Sequence, residues 1–266
     1  MYEFIIKRPF HKTDVCVKTK IKELYDVLNE VYTPLNRIDI EKNDNDRDGK
    51  ETNPTGIINI DFMNNKPDYT ELQEIENLLY SSTEIEDGFL AIHSAVVVKN
   101  KKAFLLTGRT EAGKSTLTAY LCKNGFEYYS DDIAIINKND LSVYAYPRPI
   151  QLRKGGVEVL KKYGIDLKGS TDASYGDIQR TNLTLPKCDE EKAELAGIYF
   201  IERTKEESSM VKMSKSESFA EIMSNMYVFV QPNGEIIRLI NRICDLPVFT
   251  LKYEDMEFVK QCLTEA

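Results

Sequence analysis

The chain has 266 residues, 42% of them hydrophobic, with 35 Lys and Arg against 43 Asp and Glu for a formal net charge of -8. That length and apolar content suffice for one large domain or two modest ones with buried cores, and they exclude collagen-like, disulfide-scaffold and wholly disordered chains. The acidic balance leaves no general basic field for a nucleic-acid backbone, so any polyanion must be gripped locally.

Five cysteines (Cys16, Cys122, Cys188, Cys244, Cys262) form no CxxC pair, and only His11 and His93 accompany them, so no zinc-type cluster emerges. The opening MYEFIIKRPF lacks the charged and apolar regions of a secretory signal, and no apolar run approaches the roughly 18–20 residues of a bilayer span. A soluble, cytoplasmic protein is expected, with neither nucleic acid nor membrane as partner.

In chain order, short strands are expected at Glu3–Ile6 and Asp14–Lys18, then an amphipathic helix with Ile21, Leu24, Tyr25 and Leu28 on one face. The polar stretch Glu41–Gly56 opens like a calcium loop with Asp44, Asp46, Asp48 and Gly49. The copy then fails, because Thr55 stands where the bidentate Glu is needed and Glu51 where an apolar residue is usual. A solvated loop is the expectation there. Ile57–Phe62 alternates like a strand, and Thr70 with Gln73 makes a capping box for a helix bearing Leu72, Ile75 and Leu79. Residues 1–82 thus read as a small α+β unit, and 83–266 as an α/β core. Core strands are expected at 95–98, 103–107, 133–136, 198–201 and 248–252. One core helix is read as capped by Ser218 with Glu221 and striped by Phe219, Ile222, Met223 and Met226. A final helix carries Met256, Val259 and Leu263.

The chemistry gathers at Gly108-Arg109-Thr110-Glu111-Ala112-Gly113-Lys114-Ser115-Thr116, a GxxxxGK[ST] phosphate loop that a chain this long matches by chance roughly once in a hundred. A strand-like Ala103–Thr107 precedes it. A helix with Leu117 and Leu121 follows and is stopped at Gly125. The glycines let backbone N–H groups turn inward, and the helix N-terminus adds partial positive charge. Lys114 is expected to neutralise the β- and γ-phosphates of a bound nucleotide, with the Ser115 hydroxyl on Mg²⁺. Glu111 adds a carboxylate beside this anion site, which Arg109 is placed to offset.

Asn137–Asp140 imitates a guanine-reading NKxD and Asp166–Gly169 imitates DxxG, but they occur in the wrong order for a GTPase, and both read as turns. Lys99-Asn-Lys-Lys102 joins Ala95–Val98 to Ala103–Leu106, so the strand feeding the loop is expected to lie in an antiparallel hairpin. His93 stands 15 residues before Gly108, and Asp131, in Ser130-Asp131-Asp132, stands 17 residues after Lys114.

In these segments (LAIHSAVVVKNKKAFLLTGRTEAGKST, GFEYYSDDIAII, YAYPRPIQL, LAGIYFIER, LPVFTLKY) the chain resembles the HPr kinase/phosphorylase family and its shorter relatives, including serine kinases of lasso-peptide precursors. The resemblance covers about two thirds of the chain. It implies a phosphoenolpyruvate carboxykinase-like P-loop core with a mixed sheet. It further implies Asp131 as general base, Asp132 as a Mg²⁺ ligand with Ser115, and His93 near the γ-phosphate or the catalytic Asp. A further cation is needed on the transferring group; Arg153 and Arg180 are preferred, Arg148 being read as a rigid surface turn between Pro147 and Pro149. Asp166–Thr184 reads as a lid or a connecting loop.

The glycine-rich signature of the bifunctional enzymes is not found, so the sequence leaves reverse phosphorylase activity undecided. The resulting expectation is an ATP- and Mg²⁺-dependent kinase acting on a hydroxyl, most simply a serine of a peptide or small protein. A small-molecule kinase and a non-catalytic nucleotide-binding regulator stay open, as does a homo-oligomer.

Overall fold

The computed structural model describes residues 1–36, 56–62, 85–175, 178–186, 188, 190–227 and 233–266. The chain divides into two units, Met1–Glu86 with Ala173–Gln179, and Asp87–Asp172 with Arg180–Ala266.

In the first unit, β1 (Tyr2–Ile6) pairs antiparallel with β2 (Thr13–Thr19), which pairs parallel with β3 (Gly56–Phe62). Helix α1 (Lys22–Asn36) buries Leu24, Leu28 and Val31, which recur at helical spacing, and stacks Tyr25 on Tyr2 at 5.2 Å between ring centroids. The calcium-like loop at 44–55 and the helix expected around Leu72–Leu79 lie outside the described residues.

The second unit begins with β4 (Phe89–His93), β5 (Ala95–Lys99) and β6 (Lys102–Thr107), followed by α2 (Lys114–Lys123). Next come β7 (Glu127–Ser130), β8 (Ile133–Asn137), β9 (Ser142–Tyr144), β10 (Ile150–Leu152) and α3 (Lys154–Lys162). Strands β11 (Thr171–Tyr175) and β12 (Ile178–Leu183), whose residues Ala173–Gln179 are grouped with the first unit, belong to a small separate sheet in which Thr181–Leu183 of β12 pair with β10. Part of the stretch read as a lid or plain loop is therefore strand. The chain closes with β13 (Lys192–Arg203), β14 (Ser209–Lys212), α4 (Lys215–Ser224), α5 (Gly234–Ile243), β15 (Val248–Tyr253) and α6 (Met256–Glu265).

Among the described residues the main sheet has nine strands in the order β4-β8-β9-β13-β6-β5-β7, with β15 also on β13 and β14 on β15. It is mixed. β6, β13 and β15 run parallel, whereas β5 pairs antiparallel with both β6 and β7. The long β13 holds β6 along one edge; on the other it meets β9 early and β15 late. Asn100 and Lys101, both at positive φ, close the two-residue turn of the expected β5–β6 hairpin, a backbone whose twist suits tight hairpins.

Side chains alternate across this sheet. Ala103 and Leu105 join a core completed by Ile222 of α4 and Ile236, Leu239, Ile240 and Ile243 of α5. Phe104 and Leu106 face the opposite core, with Leu117 and Leu121 of α2, Leu160 of α3, and Val259 and Leu263 of α6. The result is helices over both faces of a sheet, the usual layering of an α/β domain. Helix α4 is capped four residues earlier than its sequence suggests: Ser214 and Glu217 form the reciprocal box, and Ser218 is buried inside, its hydroxyl bonded back to the Ser214 carbonyl. The helix ends at Ser224, so Met226 lies beyond it, bridged to Ile92 of β4.

Helix α3 offers an internal comparison. A Cβ at Gly155 would meet nothing within 4 Å, whereas one at Gly156 would lie 2.6 Å from Thr116 Oγ1 on α2. Gly155→Ala should raise stability by about 0.5–1 kcal/mol through helix propensity alone. Gly156→Ala carries the same gain against an overpacking cost of about 1–3 kcal/mol, so it should be the less stable of the two in denaturant melts. Equal stabilisation by both would contradict the close approach of α2 and α3.

Candidate active site

The carboxyl ends of parallel strands are where open α/β sheets present ligands, and β6 delivers its loop there. Thr107 is fully buried, and its hydroxyl donates to Ser94 Oγ at 3.1 Å, tying the end of β6 to the start of β5. A Cβ on Gly108 would stand 2.7 Å from the Ile201 carbonyl, a backbone atom that cannot step aside, so only glycine fits beside β13. The Ala112 N–H bonds the Arg109 carbonyl at 3.1 Å, and Glu111 takes a left-handed backbone. Gly113, at φ 90°, starts α2 without any side-chain cap, leaving that helix N-terminus open to an anion.

Lys114 folds back on its own loop, donating to the Gly108 carbonyl at 2.7 Å. Burial pulls its ammonium below the ordinary lysine range, while Asp132 and Asp131 pull the other way. The Asp pair sits in the β7–β8 turn, which Ser130 fixes by accepting the Ile133 N–H at 3.2 Å. Asp131 is 6% exposed, and its Oδ1 has no hydrogen-bond partner among the described residues. Burial first and the Asp132 charge second push its carboxyl well above the usual range; a hydrogen bond from Ser115 and the charge of Lys114 oppose them.

His93 closes β4 opposite Ile133. Its Nδ1 lies 2.6 Å from the Tyr227 hydroxyl, which itself donates to the Asp132 carbonyl at 3.1 Å. Burial and then Lys114 push the imidazole down to about 4, against a hydrogen bond with the Asp132 backbone. His93 is therefore neutral around pH 7.

The structure brings together His93, Gly108, Lys114, Ser115, Asp131 and Asp132 through shared bonds and electrostatic contact. Arg153, the residue capping α3, reaches the loop by a 2.7 Å ion pair with Glu111; both side chains are more than half exposed. The neutralising partner of Glu111 is thus Arg153 rather than Arg109, which stands exposed at the loop tip beside Thr110. Thr116 turns its hydroxyl toward α3. Arg180 immediately precedes Thr181, which pairs with Leu152, so the continued ladder places it at the same end as Arg153. Arg148 corrects the expectation of a surface turn: it is 7% exposed, and its carbonyl accepts from the buried Tyr128 hydroxyl at 2.6 Å.

Three residues of this neighbourhood escaped the sequence. Tyr227 is one. Tyr253 donates to the Ala112 carbonyl at 2.9 Å and lies where a Gly113 side chain would be, next to Arg203. Arg203 and Tyr253 are the last residues of LAGIYFIER and LPVFTLKY, so those segments end on side chains that shape the loop. Together with Thr116, Tyr163 and Glu254 they line a small cleft beside it.

A divalent cation is tested by the donors present. Among the described residues no three His, Cys, Asp or Glu are grouped to hold a metal. A hydroxyl and adjoining carboxylates at a phosphate loop nevertheless suit Mg²⁺, which keeps several waters and takes few protein ligands besides substrate phosphate. The orphaned Asp131 Oδ1 fits the same demand.

Among the described residues no helix is long and apolar enough to cross a membrane. No protein-family model matches the chain, and no curated protein matches it. Among solved structures the chain is similar to the Hpr(Ser) kinase/phosphatase from Coxiella burnetii, at 13% identity over 66% of this chain and 94% of that one, with a TM-score of 0.34. A likeness so low leaves the functional reading to rest on this chain's own residues.

Proposed function

We propose that this protein is an ATP- and Mg²⁺-dependent kinase that transfers the γ-phosphate to a hydroxyl group. The observation that carries the reading is the buried Asp131 carboxyl, with its unpartnered Oδ1, held against Ser115 and Lys114 at the mouth of a glycine loop. A carboxyl whose proton affinity is raised by burial and by a neighbouring carboxylate is suited to taking a proton from an alcohol. The loop amides and the start of α2 would hold the triphosphate, and Lys114 would exchange the Gly108 carbonyl for phosphate oxygens. Ser115 and Asp132 would hold Mg²⁺, which supplies charge neutralisation when bound. The acceptor oxygen then bonds to the γ-phosphorus, the bond to the β-bridging oxygen breaks, and the hydroxyl proton passes to Asp131 as ADP departs. Serine of a peptide or small protein is the proposed acceptor, on the strength of the sequence resemblance; the geometry itself supports a hydroxyl.

Radiolabelled ATP with Mg²⁺ and a panel of serine peptides, small proteins and small alcohols should yield a labelled acceptor. Absence of transfer across a panel broad enough to include each class would sink the reading. Asp131→Asn should lower turnover by on the order of 10²–10⁴ while calorimetry still records ATP binding.

The same substitution has a stability consequence. A carboxyl raised in the folded state contributes stability below its ordinary value and loses it as pH rises through the raised one. At pH 7 the ionised form is a cost that an amide does not incur. Without nucleotide and in chelator, Asp131→Asn should melt higher than wild type by at least about 2 °C, the shift ~1 kcal/mol produces in a domain of this size. A lower melting point would show that the carboxylate is held by a partner.

Arg153 is proposed to serve the transferring phosphoryl group, with Glu111 holding it at the loop. Glu111→Gln should tighten MgATP binding and Arg153→Ala weaken it, each by about two- to fivefold, as expected for exposed charges. Unchanged affinity in both would remove the pair from the site.

A further inference from the structure

Arg203 ends β13, and its aliphatic stem lies across the start of α2: a Cβ on Gly113 would stand 3.2 Å from its Cδ and 3.7 Å from its Cγ. The side chain is exposed, and among the described residues no carboxylate or carbonyl oxygen pairs with its guanidinium. Arg153, the other arginine at the loop with a defined contact, is already tied to Glu111.

This cation stands at the cleft beside the loop, whose walls are Val159 of α3, Tyr163 just beyond it, Tyr253 and Met256. Tyr163 is 40% exposed, yet its ring is held: the hydroxyl donates to Asp255 Oδ1 at 2.9 Å, and Tyr120 meets it edge-on at 5.3 Å and 70°. A fixed aromatic surface is left uncovered there. Burial raises the Tyr163 and Tyr253 phenols, and the Arg203 charge opposes it in both, which sets the guanidinium close to the two rings. Glu254 also lines the cleft, so a second phosphate would meet a carboxylate. Apolar walls with one cation and one acceptor suit a flat heteroaromatic group carrying polar edges.

The sheet order gives the direction. At the end of β6 the loop has β5 and β7 on one side and β13, then β15, on the other. The charge of Lys114 acts on Asp131, Asp132 and His93, all on the first side. A triphosphate whose γ end follows Lys114 therefore turns its α end toward Gly113 and Thr116, which line the cleft.

We propose that this cleft is a nucleoside subsite, with the base laid against Tyr163 and covered by the Arg203 guanidinium, and with Glu254 accepting a hydrogen from the sugar or base. The proposal rests on the nucleotide reading above and adds what selects the donor: a nucleoside triphosphate is preferred to an inorganic phosphate chain. A planar guanidinium stacks on a π-face in a way that an ammonium cannot reproduce.

Calorimetry with MgATP and with magnesium tripolyphosphate separates the two contributions. The wild-type protein should bind MgATP at least about tenfold more tightly. Arg203→Ala should weaken MgATP by about fivefold, the scale of a lost cation–π contact, and leave tripolyphosphate within about twofold. Arg203→Lys should stay weak. Val159→Phe, which fills the cleft from α3, should erase the preference for MgATP, and both arginine variants keep the test open if that protein does not fold. Equal affinity for the two probes in wild type, an equal loss of both in Arg203→Ala, full rescue by Arg203→Lys, or an unchanged preference in a folded Val159→Phe would each overturn the subsite while leaving phosphate binding by the loop intact. Binding of neither probe would remove the nucleotide reading and the subsite with it.

Discussion

A buried carboxylate with one oxygen unpartnered among the described residues is the constraint from which the rest of this site follows. Leaving such a group in a low-dielectric interior costs free energy unless a proton, a cation or a hydrogen-bond donor meets it. Asp131 is placed so that each can: Ser115 and Lys114 already lean on it, and Asp132 raises the demand for positive charge at the same point. The fold tolerates this cost at the carboxyl ends of its parallel strands, beside a helix N-terminus left without a side-chain cap. Each of these features is unfavourable by itself, and together they are what the proposed magnesium–phosphate site rests on.

The mixed sheet is what brings the parts together. Because β5 runs antiparallel to β6 and to β7, the start of β5, the end of β6 and the end of β7 share one edge. His93 and Ser94, Thr107 and Gly108, and Ser130 to Asp132 are thereby neighbours without any long loop. The Thr107–Ser94 and Ser94–Asp132 bonds join all three junctions. An all-parallel sheet would place the strand before β6 with its opposite end here, and His93 would be carried to the far side.

What was legible in the sequence was local. The glycine spacing of the loop follows from its own close approaches, at Gly108 to a carbonyl of β13 and at Gly113 to Tyr253. The β5–β6 turn is written in four residues. Helix α4 shows how local signals compete: Ser214 with Glu217 and Ser218 with Glu221 carry the same capping pattern, and burial of Ser218, its hydroxyl bonded back to the Ser214 carbonyl, decides between them. Arg148 was misread for the opposite reason, since two prolines suggest a surface turn but a tyrosine from β7 holds the segment inside. Tyr227 left no signal, because its place is set by pairing with β4 across 134 residues.

The net charge of -8 and the proposed anion site are reconciled at the scale of single groups. Beyond a Debye length of about 8 Å at physiological salt, the acidic surface contributes little to what a bound triphosphate feels. Inside that radius stand Lys114, the loop amides and the open turn of α2, and the one acidic side chain in the loop, Glu111, is bonded to Arg153. That pair also stores a choice. While Arg153 neutralises Glu111 it is unavailable to the phosphoryl group of the proposed reaction; with phosphate bound, two anions would compete for one guanidinium. The geometry of a planar fork allows it to bridge both, which would let a carboxylate that opposes binding serve to aim the cation that assists it.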